Sequence, residues 1–133
     1  TFKAMGGSNE LIYHTNVMLC IGHSYAILGA ETIVSEDRKR VLDALQSSGK
    51  TLLTLTNQQV YQSFAGNMLQ LQNDKGKTIL ILSDSAMNSL SENQLDFINQ
   101  NNDQTLVATI PTIEKVGGGS ARCMLAEIFH PHT

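Results

Sequence analysis

The fold of this chain is limited first of all by an internal repeat. Residues 16–21 (NVMLCI) and residues 67–72 (NMLQLQ) are similar at an offset of 51 residues. Each is followed by a second apolar run, a segment with helical periodicity and a further short apolar run. The sequence therefore predicts an α/β protein with two strand–strand–helix–strand (ββαβ) units, at about 11–56 and 57–111. Residues 112–133 would follow as a closing segment with a terminal strand.

Two repeats are few for a repeat architecture. Such units bury one face against a neighbouring unit, and three or more are commonly needed for a closed shape. Two units therefore predict part of a larger ring. The alternative is that the similarity is accidental, because one hairpin, helix and strand resembles another.

Local signals predict the elements of each unit. Apolar and β-branched runs bounded by turn residues predict strands at residues 12–21, 25–28, 51–55, 64–72, 77–83 and 106–110. Helices are predicted from a cap at Ser35 with a stop at Gly49, and from the capping boxes Thr56-x-x-Gln59 and Ser91-x-x-Gln94. Residues 73–76 (NDKG) predict the turn of the second hairpin.

Composition restricts the partners of the chain. Its 133 residues suffice for one domain, and its net charge is −3 at pH 7. Nucleic acids and anionic membranes require concentrated Lys and Arg, so neither is expected as a partner. Apolar runs such as residues 17–21 are far shorter than the roughly 20 residues that span a bilayer. We expect a domain with no nucleic-acid and no membrane partner.

Cysteine and histidine spacing gives no sign of a metal or cofactor. The two cysteines, Cys20 and Cys123, form neither a disulfide framework nor a C-x-x-C pair, which favours a cytoplasmic location. His130 and His132 could in principle hold a metal, but they have no zinc-ligand spacing with the cysteines. We therefore predict no metal and no cofactor.

Three segments contain the candidate functional residues: residues 13–16 (YHTN), 64–67 (FAGN) and the glycine-rich segment, residues 117–124 (GGGSARCM). Glycines allow backbone N–H groups to converge, and such groups can stabilise a thiolate or an oxyanion. Cys123 at the end of the glycine-rich segment is thus a candidate nucleophile. Taken alone, however, a cysteine of this kind is more often a buried structural thiol, the role predicted for Cys20 in mid-strand.

These segments resemble a known superfamily. Residues 117–124 resemble the nucleophile segment of the arginine deiminase family, and His14-x-Asn16 is similar to the histidine strand of the guanidino-group-modifying enzymes, or penteins. Within that superfamily the sequence is most similar to arginine-deiminase-related, amidinotransferase-type proteins that include bacterial citrulline hydrolases. The similarity rests on residues 13–18, 64–67 and 117–127, in that order along nearly the whole chain.

The resemblance implies a fold and a set of roles. Penteins are five-bladed α/β propellers of ββαβ units, of which this chain would hold about the last two. Cys123 would be the nucleophile and His14 the general acid/base, with Asn16, Gly118 and Gly119 binding a small, amino-acid-like substrate. The acidic residues that grip a guanidinium would lie in earlier units, upstream of Thr1. The chain would then be the C-terminal portion of a larger propeller, and would self-associate or pair with the missing N-terminal units.

One residue departs from the family pattern. Arginine deiminases and amidinotransferases usually have Asp where this sequence has Asn16. A neutral amide loses the charge pairing with a guanidinium but keeps its hydrogen bonds, which favours a less cationic target such as the ureido group of citrulline. Alternatively, Asn16 only opens a strand, as Asn67 would in the second unit. Arg122 has two open roles as well, binding a substrate carboxylate or supporting the structure.

The leading functional prediction is a hydrolase of linear C–N bonds in a guanidino or ureido compound. Two alternatives remain open at this stage. One is a non-catalytic module that acts only in assembly with a partner chain. The other is a Cys–His amide hydrolase of a different fold, which would need a residue within this chain to orient His14.

Overall fold

A computed structural model describes residues 1–127, which form an α/β fold. The six strands are β1 (Leu19–Ile21), β2 (Tyr25–Leu28), β3 (Thr51–Thr54), β4 (Leu69–Gln72), β5 (Thr78–Ser83) and β6 (Gln104–Ala108). The five α-helices are α1 (Ser35–Ser47), α2 (Asn57–Ser63), α3 (Asp84–Ser89), α4 (Glu92–Asn101) and α5 (Pro111–Gly117). Short 3-10 turns span Thr15–Val17, Ala30–Thr32 and Ala121–Met124.

Two small sheets with the same topology divide the strands between them. The first has the order β1-β2-β3 and the second β4-β5-β6. In each, the first two strands are antiparallel and the last two are parallel, with helix α1 or helices α3 and α4 as the crossover. Strand β1 lies beside β4, and Gln70 Oε1 on β4 accepts a hydrogen bond from His23 N at 2.7 Å.

The first strand of each unit is shorter than predicted, because a compact turn precedes it. Residues 12–18 include the 3-10 turn Thr15–Val17. In the second unit, Phe64 adopts a left-handed conformation (φ 54°) and begins a turn before β4. Val17 N donates to His14 O at 3.0 Å, and Asn67 N donates to Phe64 O at 2.8 Å. The two turns therefore correspond at an offset of 50, not 51.

The capping boxes are confirmed, whereas the cap assigned to Ser35 is wrong. Thr56 and Gln59 exchange hydrogen bonds at the start of α2, as do Ser91 and Gln94 at the start of α4. Helix α1 begins at Ser35 itself, and its N-cap is Val34, which has no side-chain cap bond. Gly49 (φ 81°) follows the end of this helix as predicted. The Ser35 hydroxyl instead donates to Glu36 at 3.0 Å.

Two short helices are absent from the sequence prediction. Helices α3 and α5 have six and seven residues, too few for a helical period to stand out. Ile110 is the N-cap of α5 and Pro111 its first residue, so β6 ends at Ala108 rather than at residue 110. The predicted terminal strand is not found in residues 125–127, and its remainder lies outside the described residues.

The core lies around the middle strand of each sheet. All four residues of β2 are buried, as are Leu80 and Leu82 of β5. Residues 1–127 contain no closed sheet, so the five-bladed propeller is not confirmed, and the place of residues 1–133 in a larger propeller stays a prediction. No helix in this part of the chain is long and apolar enough to cross a membrane.

Candidate active site

The two cysteines occupy opposite environments. Cys20 on β1 is buried, as predicted for a structural thiol, and this burial raises its pKa to about 12. Cys123 lies in the turn Ala121–Met124, which packs against β5, and it is exposed. Of the two thiols, Cys123 is therefore the one that a solute can reach.

Asn67 holds this exposed thiol in place. Its side-chain Nδ2 donates to Cys123 Sγ at 3.2 Å and to the main-chain oxygen of Asn16 at 2.8 Å. Its Oδ1 accepts from Cys123 N at 3.4 Å, and its main-chain oxygen accepts from Arg122 N at 3.4 Å. One buried side chain thus joins the turn at Asn16 to the segment that carries the thiol.

Asn16 and His14 lie on the other side of this junction. Asn16 Nδ2 is 3.9 Å from Cys123 Sγ, while its Oδ1 is buried and has no hydrogen-bond partner within residues 1–127. His14 is exposed and is the N-cap of the 3-10 turn that contains Asn16. In the described part of the chain no hydrogen bond joins His14 to Cys123. The structure therefore brings the side chain of Asn16 to the thiol. It does not join His14, two positions earlier in the sequence, to the thiol by a described hydrogen bond.

The predicted glycines shape the approach to Cys123. Gly118 has φ 63° and ends helix α5 in a left-handed conformation that suits a residue without Cβ. A Cβ at Gly119 would lie 3.1 Å from Cys123 Sγ, tighter than ordinary contact. Gly119 thus leaves room beside the sulfur. A role of Gly118 or Gly119 in binding substrate stays a prediction.

A buried carboxylate lies beneath the glycine-rich segment. Glu114 of α5 accepts hydrogen bonds from Ser120 Oγ at 2.6 Å and from Ser85 Oγ at 2.7 Å. Burial alone would raise the pKa of Glu114, but the hydroxyls of Ser120, Ser83 and Ser85 outweigh it and hold this pKa below its usual value. The carboxylate stays ionised and ties Ser120 to the helix.

Sequence reasoning did not identify Asn67 or Glu114 as part of the site. The sequence indicates residues 64–67 as a candidate segment, but it marks Asn67 only as the repeat partner of Asn16. Arg122 donates from Nη1 to Leu125 O at 3.1 Å, a contact that favours its structural role. Among the described residues, no cluster of three or more His, Cys, Asp or Glu could hold a metal ion.

Comparison with known sequences shows the family to which the chain belongs. The sequence model for "N,N dimethylarginine dimethylhydrolase, eukaryotic" matches residues 1–130. The chain belongs to this family. Its membership confirms the predicted relation to the guanidino-group-modifying superfamily, whereas the closer resemblance to citrulline hydrolases stays a prediction. A search among curated proteins finds no significant match.

A solved structure has a similar fold. The chain is similar to apo ArgZ, an arginine dihydrolase from the ornithine-ammonia cycle in cyanobacteria, with a TM-score of 0.68 and 12% sequence identity. The match covers 96% of this chain and 18% of the ArgZ chain. The dimethylarginine dimethylhydrolase family member described here thus spans under a fifth of the length of that protein.

Proposed function

We propose that this chain supplies the nucleophile and the general acid/base of a hydrolase that cleaves a linear C–N bond in a guanidino or ureido compound. The observation that carries the proposal is the exposed Cys123 thiol, held by the buried Asn67 amide beside Asn16. Family membership supports the guanidino chemistry, and the ArgZ-like fold agrees with it.

The reaction would proceed through a covalent intermediate. The Cys123 thiolate attacks the planar carbon of the substrate and forms a C–S bond, while His14 protonates the departing amine so that the C–N bond breaks. His14 then takes a proton from water, and the resulting hydroxide adds to the same carbon. The C–S bond breaks and the sulfur leaves as a thiolate. A guanidino substrate has then become a ureido product, and a ureido substrate a carbamate.

The neutral side chain of Asn16 supports a ureido substrate over a guanidinium. The described hydrogen bonds to the Cys123 thiol come from amides, and no carboxylate is among them. A guanidinium is bound most strongly by a carboxylate, which forms charge-assisted, often bidentate hydrogen bonds. Asn16 Oδ1, a buried acceptor without a partner in residues 1–127, can accept an N–H from a neutral ureido group. Arginine and dimethylarginine are the rival substrates that the names of ArgZ and of the family suggest.

A substrate panel tests the proposed function. Citrulline, arginine and N,N-dimethylarginine are each incubated with the natural full-length protein and with its Cys123→Ser variant, and product formation is followed. We expect turnover of at least one compound, best with citrulline, and none in the variant. Turnover of none of the three, or turnover that survives in Cys123→Ser, would overturn the proposal.

We propose separately that the chain self-associates, as expected from the sequence. Strand β6 and helix α5 expose the apolar side chains of Leu106, Val107, Ile113 and Val116. Large apolar side chains exposed to water favour association, so we expect an oligomer in sedimentation velocity. A single monomeric species at micromolar concentration would contradict this.

A further inference from the structure

We propose that Asn67 is a catalytic residue, whose side-chain amide stabilises negative charge on Cys123 sulfur as the thiol loses its proton and again as the sulfur leaves. This inference rests on the proposed function, because it assigns a further role in the same reaction. We assign this role to Asn67 because its side chain contacts the reacting atom: Nδ2 lies 3.2 Å from Cys123 Sγ.

The hydrogen-bond partners fix the orientation of this amide. The oxygen of Asn16 can only accept, and the main-chain N–H of Cys123 can only donate. Nδ2 of Asn67 must therefore face Asn16 O, at 2.8 Å, and Oδ1 must face Cys123 N, at 3.4 Å. One N–H of the amide is used by Asn16 O. The second N–H is left to point at the sulfur.

Burial makes this donor preorganised. Asn67 is 2% exposed, its main-chain N–H is bonded to Phe64 O at 2.8 Å, and its main-chain oxygen accepts from Arg122 N. Gly66, the preceding residue, packs so closely on the backbone of Val17 and Met18 that a Cβ would lie 2.6 Å from Val17 O. The amide cannot turn away without breaking several contacts, so no reorganisation is needed when charge appears on the sulfur.

The donor favours the charged states of the reaction over the neutral ones. Sulfur carries negative charge before attack and again when the C–S bond breaks, but it is neutral in the covalent intermediate. A hydrogen bond to an ionised acceptor is roughly twice as strong as one to a neutral acceptor. The contact of Asn67 with sulfur therefore strengthens at the steps in which the thiolate forms or departs. Only such differential stabilisation speeds a chemical step.

A substitution that keeps the shape and removes the donor tests this role. Asn67→Asp replaces the N–H that faces sulfur by a carboxylate oxygen, and Asn67→Leu removes the same N–H without adding a charge, so a fall in rate shared by both variants is due to the lost donor. Asn102→Asp is the matched control, because half-buried Asn102 likewise donates from Nδ2 (to Ile98 O, 2.9 Å) but makes no hydrogen bond to Cys123 within residues 1–127. The readout is the rate of Cys123 alkylation by iodoacetamide at pH 7, measured by peptide mass analysis, and labelling of the buried Cys20 reports any opening of the fold.

We expect the alkylation rate of Cys123 to fall by about tenfold or more in Asn67→Asp, and to change by less than about twofold in Asn102→Asp. An unchanged rate in a folded Asn67→Asp variant would overturn the inference. A fall of equal size in Asn102→Asp would also overturn it, because a general loosening of the fold would then explain both.

A second measurement on the wild-type chain covers the case in which Asn67→Asp does not fold. The side-chain amide resonance of Asn67 in ¹H–¹⁵N spectra is followed from pH 6 to pH 10. We expect a pH-dependent shift of this resonance in the wild type and none in Cys123→Ala. No shift in the wild type would overturn the inference. If the alkylation and spectroscopic results are both as expected but the wild-type protein turns over none of the substrates, the proposed function alone is refuted.

Discussion

The carboxylate of Glu114 accepts a hydrogen bond from the Ser120 hydroxyl at 2.6 Å, and this bond fastens the segment that carries Cys123 to helix α5. Ser120 is fully buried and lies three residues before Cys123, whose main-chain N donates to Ser120 O at 3.0 Å. The buried carboxylate of Glu114 thus holds the segment that carries the thiol, and the Asn67 amide contacts the sulfur itself.

Removing the charge of Glu114 is expected to weaken the fold in a pH-dependent way. Its pKa is lowered in the folded chain, so its contribution to the free energy of unfolding is fully present above the unfolded-state value of about 4.3. The contribution disappears as pH falls through the lower folded-state pKa. Glu114→Gln should reduce the free energy of unfolding by about 1–3 kcal/mol at pH 7 in urea titrations.

The same variant should also flatten the acid dependence of stability. Between about pH 5 and pH 3, Glu114→Gln should lose less stability than the wild type, because the group that titrates is gone. Glu92→Gln removes a carboxylate at an exposed position in the first turn of α4 and is the control for the loss of one charge. Parallel acid curves for wild type and Glu114→Gln would contradict the ionised, hydrogen-bonded state assigned to Glu114.

Close packing of the two pre-strand turns predicts a severe effect at Gly66. A Cβ there would lie 2.6 Å from Val17 O and 2.7 Å from Met18 Cα, and these backbone atoms cannot move aside like a flexible side chain. Gly66→Ala should therefore lower the free energy of unfolding by about 2 kcal/mol or more. Gly117→Ala meets only an ordinary contact at 3.9 Å and should stay within about 0.5 kcal/mol of the wild type. Equal effects of the two alanines would contradict the described packing.

Structural features that depend on a few neighbouring residues are well predicted from the sequence. The capping boxes at Thr56 and Ser91 and the turn at residues 73–76 are confirmed, since Asn73 Oδ1 accepts from Lys75 N and Lys77 N. Each depends on a side chain that binds a backbone within four positions. The hairpins were found as well, but the start of each first strand was not, because an apolar run can pack as a compact turn as well as a strand.

The candidate site was predicted only in part, for a related reason. Cys123, His14 and Asn16 stood out through resemblance to family segments. The amide of Asn67 reaches Cys123 across 56 positions of the chain, and Glu114 reaches Ser85 across 29. Both pairings depend on how the chain after β6 folds back against Asn67, just before β4, and against Ser85 of helix α3. No pattern within a few residues of either partner indicates such long-range contacts.

The environments of the two cysteines predict selective labelling. Burial raises the pKa of Cys20 from 9.0 to about 12, so its thiolate fraction near pH 8 is about a thousandfold smaller than in an unfolded chain. Iodoacetamide should label Cys123 in the native protein and both cysteines in concentrated urea. Because the neutral Cys20 thiol is the form the fold favours, stability should also decline as pH rises from about 9 toward 12. Native labelling of Cys20 at the rate of Cys123 would contradict the burial.

The amide at position 16 predicts a change of substrate preference. Asn16→Asp restores a carboxylate next to Cys123 and should shift the kcat/KM ratio toward guanidino over ureido compounds by about tenfold. Asn9→Asp adds the same charge at an exposed position and serves as the control. Steady-state kinetics of the full-length protein with citrulline and arginine measure the ratio. A ratio that moves equally in both variants would remove Asn16 from the specificity argument.

The most direct test of the catalytic account is the detection of the covalent intermediate on Cys123. The full-length protein is mixed with its best substrate, quenched in acid within the first turnovers and analysed by peptide mass spectrometry. We expect the Cys123 peptide to gain the mass of the substrate less the departing amine, with Cys20 unmodified. Sustained turnover with the adduct never found on Cys123, and found instead on another residue, would contradict it.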